Sequence, residues 1–147
     1  MTTEQGKPKW RDVLERCGLQ VLENGVQAAP PLQSAIYAFS GLEVEPVTTV
    51  PISSSGAMGE LDEKWHFHAS SVSLYDDTGE FLILPPVSGD RELSWVRVRD
   101  TVGKNLPSRI AKVTGSPEFL AVSVDGRRLC AASDEEYDYW VVLHEFS

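Results

Sequence analysis

The sequence predicts an α+β fold: an N-terminal helix packed on a mostly antiparallel sheet rich in hairpins, strongly curved or barrel-like in its extreme form. Three stretches carry that expectation. In PKWRDVLERCG, residues 8–18, the apolar side chains Trp10, Val13, Leu14 and Cys17 fall at i, i+3, i+4 and i+7, which is one face of a helix. In FLAVSVDGRRLCAAS two apolar runs flank Asp125-Gly126, a pair suited to the positive-φ positions of a type I′ hairpin turn. YDYWVVLHEF, rich in Tyr, Trp and Val, reads as a closing strand inside the sheet.

The first helix is punctuated at both ends, from about Pro8 to Cys17, because Pro8 suits the first turn and Gly18 a left-handed stop. LQVLENGVQ then reads as a short strand around an Asn24-Gly25 turn, broken by Pro30-Pro31. Residues 33–50 alternate well enough for extended structure. SSSGAMGE, residues 53–60, is the most loop-like stretch and the expected flexible segment of a single domain spanning residues 1–147. From Trp65 onward the pattern reads as β-structure. VSLY and FLIL flank a turn over residues 76–80, and pairing Tyr75 with Phe81 would set Val72, Leu74, Leu82 and Leu84 on one face. LSWVRVRD alternates Trp95, Arg97 and Arg99 against Val96 and Val98, and residues 105–115 suit a helix opened by Pro107 or a strand equally. The expected core includes Leu74, Leu82, Leu84, Val96, Val122, Leu129 and Val142.

Composition narrows the functions. A net charge of −9 disfavours sequence-independent binding of DNA or RNA and favours a partner with a basic surface. Two cysteines, Cys17 and Cys130, are too few for a disulfide framework, and the N-terminal residues carry no apolar export segment, so the expected compartment is the cytoplasm. No run of about 18 apolar residues suggests a membrane span. Charge is unevenly placed. Arg91, Arg97, Arg99, Lys104, Arg109 and Lys112 share one stretch with Glu92 and Asp100, whereas Asp134, Glu135, Glu136 and Asp138 form an acidic knot around Tyr137, next to Tyr139 and Trp140. Charge that steers and aromatics that anchor are what a protein-binding surface needs, so Asp134, Glu135, Glu136, Tyr137 and Asp138 are the candidate partner-binding residues. The expected function is that of a small acidic binder, comparable by composition with immunity proteins, antitoxins or phage-type inhibitors of a basic protein.

The alternative rests on His66-Phe67-His68. On a strand, alternate side chains share a face, so H-x-H can offer two metal ligands. In register with Leu74 both rings would point into the core and expose Trp65 and Phe67; a β-bulge at Ser70-Ser71 reverses this and leaves the histidines facing solvent or a cleft. Gly59, His66, His68 and Gly79 resemble, loosely, the first motif of the cupin family, which implies a small metal-dependent enzyme with His144 completing the site. The glutamate of that motif is missing, since positions 72 and 73 are Val72 and Ser73. The expectation from the residues themselves is no bound metal and no cofactor. A Cys130–His144 nucleophile and base is disfavoured because a hairpin would set Cys130 opposite about Val141, roughly 10 Å of strand from His144. The chain has no Gly-x-Ser-x-Gly elbow, phosphate-binding glycine loop or dinucleotide fingerprint.

Overall fold

The computed structural model describes residues 8–23, 25–41, 43–87 and 94–146. Asn24 of the expected turn, and Arg91 and Glu92 of the basic stretch, lie outside them. The elements run α1 (Lys9–Arg16), β1 (Leu19–Val21), α2 (Leu32–Ser40), β2 (Thr48–Pro51), α3 (Ala57–Ser71), β3 (Glu80–Leu84), β4 (Val96–Asp100), α4 (Leu106–Thr114), β5 (Phe119–Val122), β6 (Arg128–Asp134) and β7 (Asp138–Glu145). The seven strands form one sheet in the order β1-β4-β3-β5-β6-β7-β2, and every neighbouring pair is antiparallel. The α+β expectation therefore holds, but the sheet does not close into a barrel: β1 and β2 remain as edges. Both edges are short and β2 ends at Pro51, which offers no donor to an added strand.

Helices α1, α3 and α4 cover one face of the sheet, where Leu14, Cys17, Leu61, Trp65, Leu106 and Ile110 meet Phe81, Ile83, Val98, Phe119 and Cys130. Removing a side chain such as Leu61 from water contributes about 1.5–3 kcal/mol before entropy is counted. Helix α2 covers part of the other face, where Ala35 meets Leu82, Leu120, Val122, Leu129, Ala131 and Val142. Of the expected core, Leu74, Leu82, Val122, Leu129 and Val142 are buried, while Leu84 and Val96 are half-buried against it.

The first helix forms as its pattern demands, with Pro8 as the cap before it, Cys17 closing it and Gly18 at φ 84° turning the chain back. Trp10 is half-buried against the core. Residues 33–50 are not extended throughout. Leu32–Ser40 is helical, because Leu32, Ala35 and Phe39 recur at i, i+3 and i+7 and reach the sheet together. The undecided segment is helix α4, and a neighbouring helix supplies its missing cap: the Asp62 carboxylate accepts hydrogen bonds from the Ser108 N–H, at 2.9 Å, and from the Ser108 hydroxyl.

The largest departure is α3. Ala57, Leu61, Trp65 and Ala69 recur every four residues on its buried face, so residues 57–71 are a helix where a loop and then a strand were expected. The loop shrinks to the turns between Ile52 and Gly56, and the expected strand and bulge at Ser70-Ser71 are the helix's last turn. Ser73, at φ 56°, ends it in left-handed backbone, and Leu74 N–H donates to the Ala69 carbonyl at 2.9 Å. Tyr75 still meets Phe81, ring edge to face at 5.3 Å, but from a turn and not as a strand partner. Leu74 and Leu82 thus fall on opposite faces of the sheet. The hairpin of β5 and β6 forms in the expected register, Ala121 opposite Cys130. Its turn is not type I′, since Gly126 has a positive φ and Asp125 does not. A Ser123–Gly126 turn replaces it, with Asp125 accepting from the Ser123 hydroxyl at 2.6 Å.

Candidate functional site

Strands β6 and β7 are the longest in the sheet and pair from Arg128↔Glu145 to Asp134↔Tyr139, which carries their connecting turn beyond the start of β5, while β2 runs alongside β7 as far as Asp138. The turn is closed by Glu135 N–H donating to the Asp138 carbonyl at 2.9 Å. On one flank, Ile52 N–H donates to the Tyr137 carbonyl at 3.0 Å. On the other, the start of β5 brings up Glu118, whose carboxylate accepts from the Asp134 N–H at 3.0 Å. Ser116 donates to Asp134 at 3.0 Å, and the Ser133 hydroxyl donates to Glu135. Hydroxyls and amides thereby hold three carboxylates in place without cancelling their charge.

Five acids therefore share the tip: Glu118, Asp134, Glu135, Glu136 and Asp138. None forms an ion pair among the described residues. Tyr137 stands between them with 75% of its surface exposed. The local field reaches the next residue of the strand, where burial and then the Asp134 charge raise the Tyr139 phenol above its ordinary pKa. Sequence reading located four of these acids and Tyr137. Glu118 escaped it because it lies 16 residues from Asp134 and joins only through strand pairing.

The basic stretch behaves in the opposite way. Arg97 and Arg99 both reach Glu80 at 2.8 Å, Arg97 lies 3.9 Å from Asp76, and Arg109 reaches Asp100 at 2.8 Å. Lys104 and Lys112 are exposed. Arg97, Arg99 and Arg109 are thus held by nearby acids and not by those of the tip.

The histidine reading fails on geometry. His66 and His68 lie on α3, where positions two apart point roughly 200° from each other, so they cannot present one metal with two ligands as a strand would. His66 is exposed, 6.4 Å from the Tyr75 ring, and His68 sits 2.8 Å from the Thr48 hydroxyl. His144 is on β7 opposite Leu129, on the sheet face away from α3. The described residues hold no group of three or more His, Cys, Asp or Glu placed to hold a metal ion. The cupin resemblance loses its strand, and Gly59 lies inside the helix.

Cys130 and His144 do not pair either, for a different reason from the one expected. Cys130 lies opposite Leu143, not Val141, so His144 is one residue from it along the ladder but points to the other face. Burial pushes the Cys130 thiol up, and it pushes Cys17 up to about 11 despite the Arg109 charge, so neither is poised as a thiolate.

Burial, followed by the nearby Lys64 charge, holds His68 below the ordinary histidine pKa. A histidine whose folded pKa is depressed binds fewer protons folded than unfolded. Its contribution is therefore complete above the unfolded value of about 6.5 and is lost as pH falls through that value toward the folded one. Urea unfolding from about pH 7.5 to 5 should show declining stability, with a smaller decline in His68→Gln; parallel curves would remove His68 from this account.

No described helix is long and apolar enough to cross a membrane. Comparison with protein-family models, with curated proteins and with solved structures finds no match to this chain.

Proposed function

We propose that the protein works by binding a partner with a basic surface through the tip of the β6–β7 hairpin. The observation that carries this reading is the set of five uncompensated carboxylates around the exposed Tyr137, on a tip whose backbone is fixed by β2 and β5. Fixed acids steer a basic partner to the surface over about a Debye length, and a rigid aromatic with one polar end provides an anchor once contact is made. The class we assign is an inhibitor-like binder, in the manner of immunity proteins, antitoxins or phage-encoded inhibitors that cover a basic active site. A cytoplasmic setting belongs to the same reading, since Cys17 and Cys130 are both free and buried. No catalytic role is assigned to any residue.

The test is capture from an extract of the native host on immobilised wild-type chain and, in parallel, on a Glu135→Lys, Glu136→Lys chain, with identification by mass spectrometry. A basic protein should be recovered on the first and not the second, and its association should slow by about tenfold or more between roughly 0.05 and 0.3 M salt. Equal recovery on both surfaces, or no partner on either, would sink the reading.

A further inference from the structure

At the other end of β7, about 27 Å of strand from the tip, lies a groove of about 630 Å³ between α2 and residues 142–146. Its two walls differ in character. Helix α2 (LQSAIYAFS) carries no charged residue, and it turns Tyr37 outward along the groove with 67% of its surface exposed, while Ile36, 47% exposed, stands on the same helix outside the groove lining. Surface helices ordinarily present a charged outer face, so two large apolar side chains held out on an uncharged helix are out of place for a face meeting only water. The opposite wall is Phe146 with the His144 ring at 4.6 Å, edge to face. Glu43, Glu45 and Glu145 line the groove, all exposed, and no lysine or arginine does so among the described residues. None of the three makes an ion pair among those residues.

We propose that this groove docks an extended, arginine- or lysine-bearing segment of the protein partner, the aromatic walls packing on the side chain's apolar stem and the three glutamates surrounding its cationic head. This rests on reading the chain as a binder of a basic protein, and it adds a second contact at the far end of the same strand. Charge complementarity selects the occupant. An acidic or neutral peptide would leave three desolvated carboxylates unanswered, whereas a guanidinium offers donors in a fork that matches carboxylates and a flat face that stacks on tyrosine. The mixture also favours a polypeptide over a small free polycation: apolar centres with charged rims are the anatomy of protein interfaces, and a polyamine would draw little from the Tyr37 and Phe146 rings.

The probe is a hexa-arginine peptide titrated into the isotope-labelled chain, followed by amide and Tyr37 ring shifts. Shifts should map to residues 34–45 and 142–146. The triple variant Glu43→Gln, Glu45→Gln, Glu145→Gln should weaken them by about tenfold or more, and Tyr37→Ala should also weaken them, with the untouched remainder of each spectrum showing an intact fold. Glu135→Gln, Glu136→Gln should leave the groove shifts in place. Shifts confined to residues 134–138 would overturn the groove while leaving the hairpin tip as the binding surface, and no shift at the groove would overturn it as well. Spermine is the second arm. Equal perturbation by spermine, insensitive to Tyr37→Ala, would make the groove a polyamine site and overturn the peptide occupant.

Discussion

Trp65→Ala is expected to cost about 3–5 kcal/mol of unfolding free energy, a large part of the whole for a domain of this size. Trp65 is 1% exposed and stands where α3 meets the centre of the sheet. Its ring packs against Phe119 at 5.1 Å and edge-on to Tyr75 at 6.3 Å, and its Nε1–H donates to the Cys130 carbonyl at 3.2 Å. Truncation removes the largest transfer contribution on that face and leaves a cavity between α3 and the sheet. Trp65→Phe should recover most of this, retaining ring contact while leaving the Cys130 carbonyl without its indole donor, for a residual loss of about 1–2 kcal/mol. Denaturant unfolding followed by far-ultraviolet circular dichroism separates the two. A loss under about 1 kcal/mol for Trp65→Ala would mean that α3 does not pack as described.

The same residue shows why the sequence misled in one region and not in others. In EKWHFH the large side chains alternate with polar ones, the period of a strand, because Phe67 is an aromatic that the fold leaves 65% exposed. The residues that make the helix pack are Ala57, Leu61, Trp65 and Ala69, and two of the four are alanines that a search for bulky apolar residues passes over. The four-residue recurrence was present, as was the i, i+3, i+7 set Leu32, Ala35 and Phe39 behind α2. By contrast α1, the β5–β6 hairpin and β7 have their large apolar residues on the buried face and were legible. Strand faces around Trp95 were legible for the same reason: Trp95 packs on the α2 side, and Val96 and Val98 on the other. Sites follow a parallel rule. Acids contiguous in sequence, Asp134 to Asp138, could be read directly. Glu118 at the tip, and Glu43 and Glu45 beside Glu145, become neighbours only through strand order and the placement of α2.

Arg109→Ala is expected to be nearly as damaging as loss of Trp65, at about 3–5 kcal/mol, because it breaks a buried ion pair from one side only. Asp100 is 3% exposed in its side chain and Arg109 15%, with 2.8 Å between them. Arg109 also donates to the Cys17 carbonyl at 2.7 Å, satisfying the end of α1, and to the Lys104 carbonyl at 2.6 Å, so one guanidinium joins α1, β4 and α4. Asp100 in turn accepts from the amides of Val102 and Gly103 at 3.0 and 3.1 Å, which shapes the turn after β4. Removing the arginine strands a desolvated carboxylate and a helix-end carbonyl together. The double variant Arg109→Met, Asp100→Asn should therefore cost much less than the sum of the two single changes, since the asparagine keeps the turn and no buried charge is left unanswered. Strict additivity would show instead that the two groups act independently. This pair also bears on binding. With Arg97 and Arg99 held by Glu80 and Arg109 by Asp100, three cations of the basic stretch are committed to nearby acids, whereas the carboxylates at the hairpin tip and in the α2–β7 groove form no ion pair among the described residues. Eight of the described acids without an ion pair, Glu43, Glu45, Glu118, Asp134, Glu135, Glu136, Asp138 and Glu145, therefore lie at the two ends of β7.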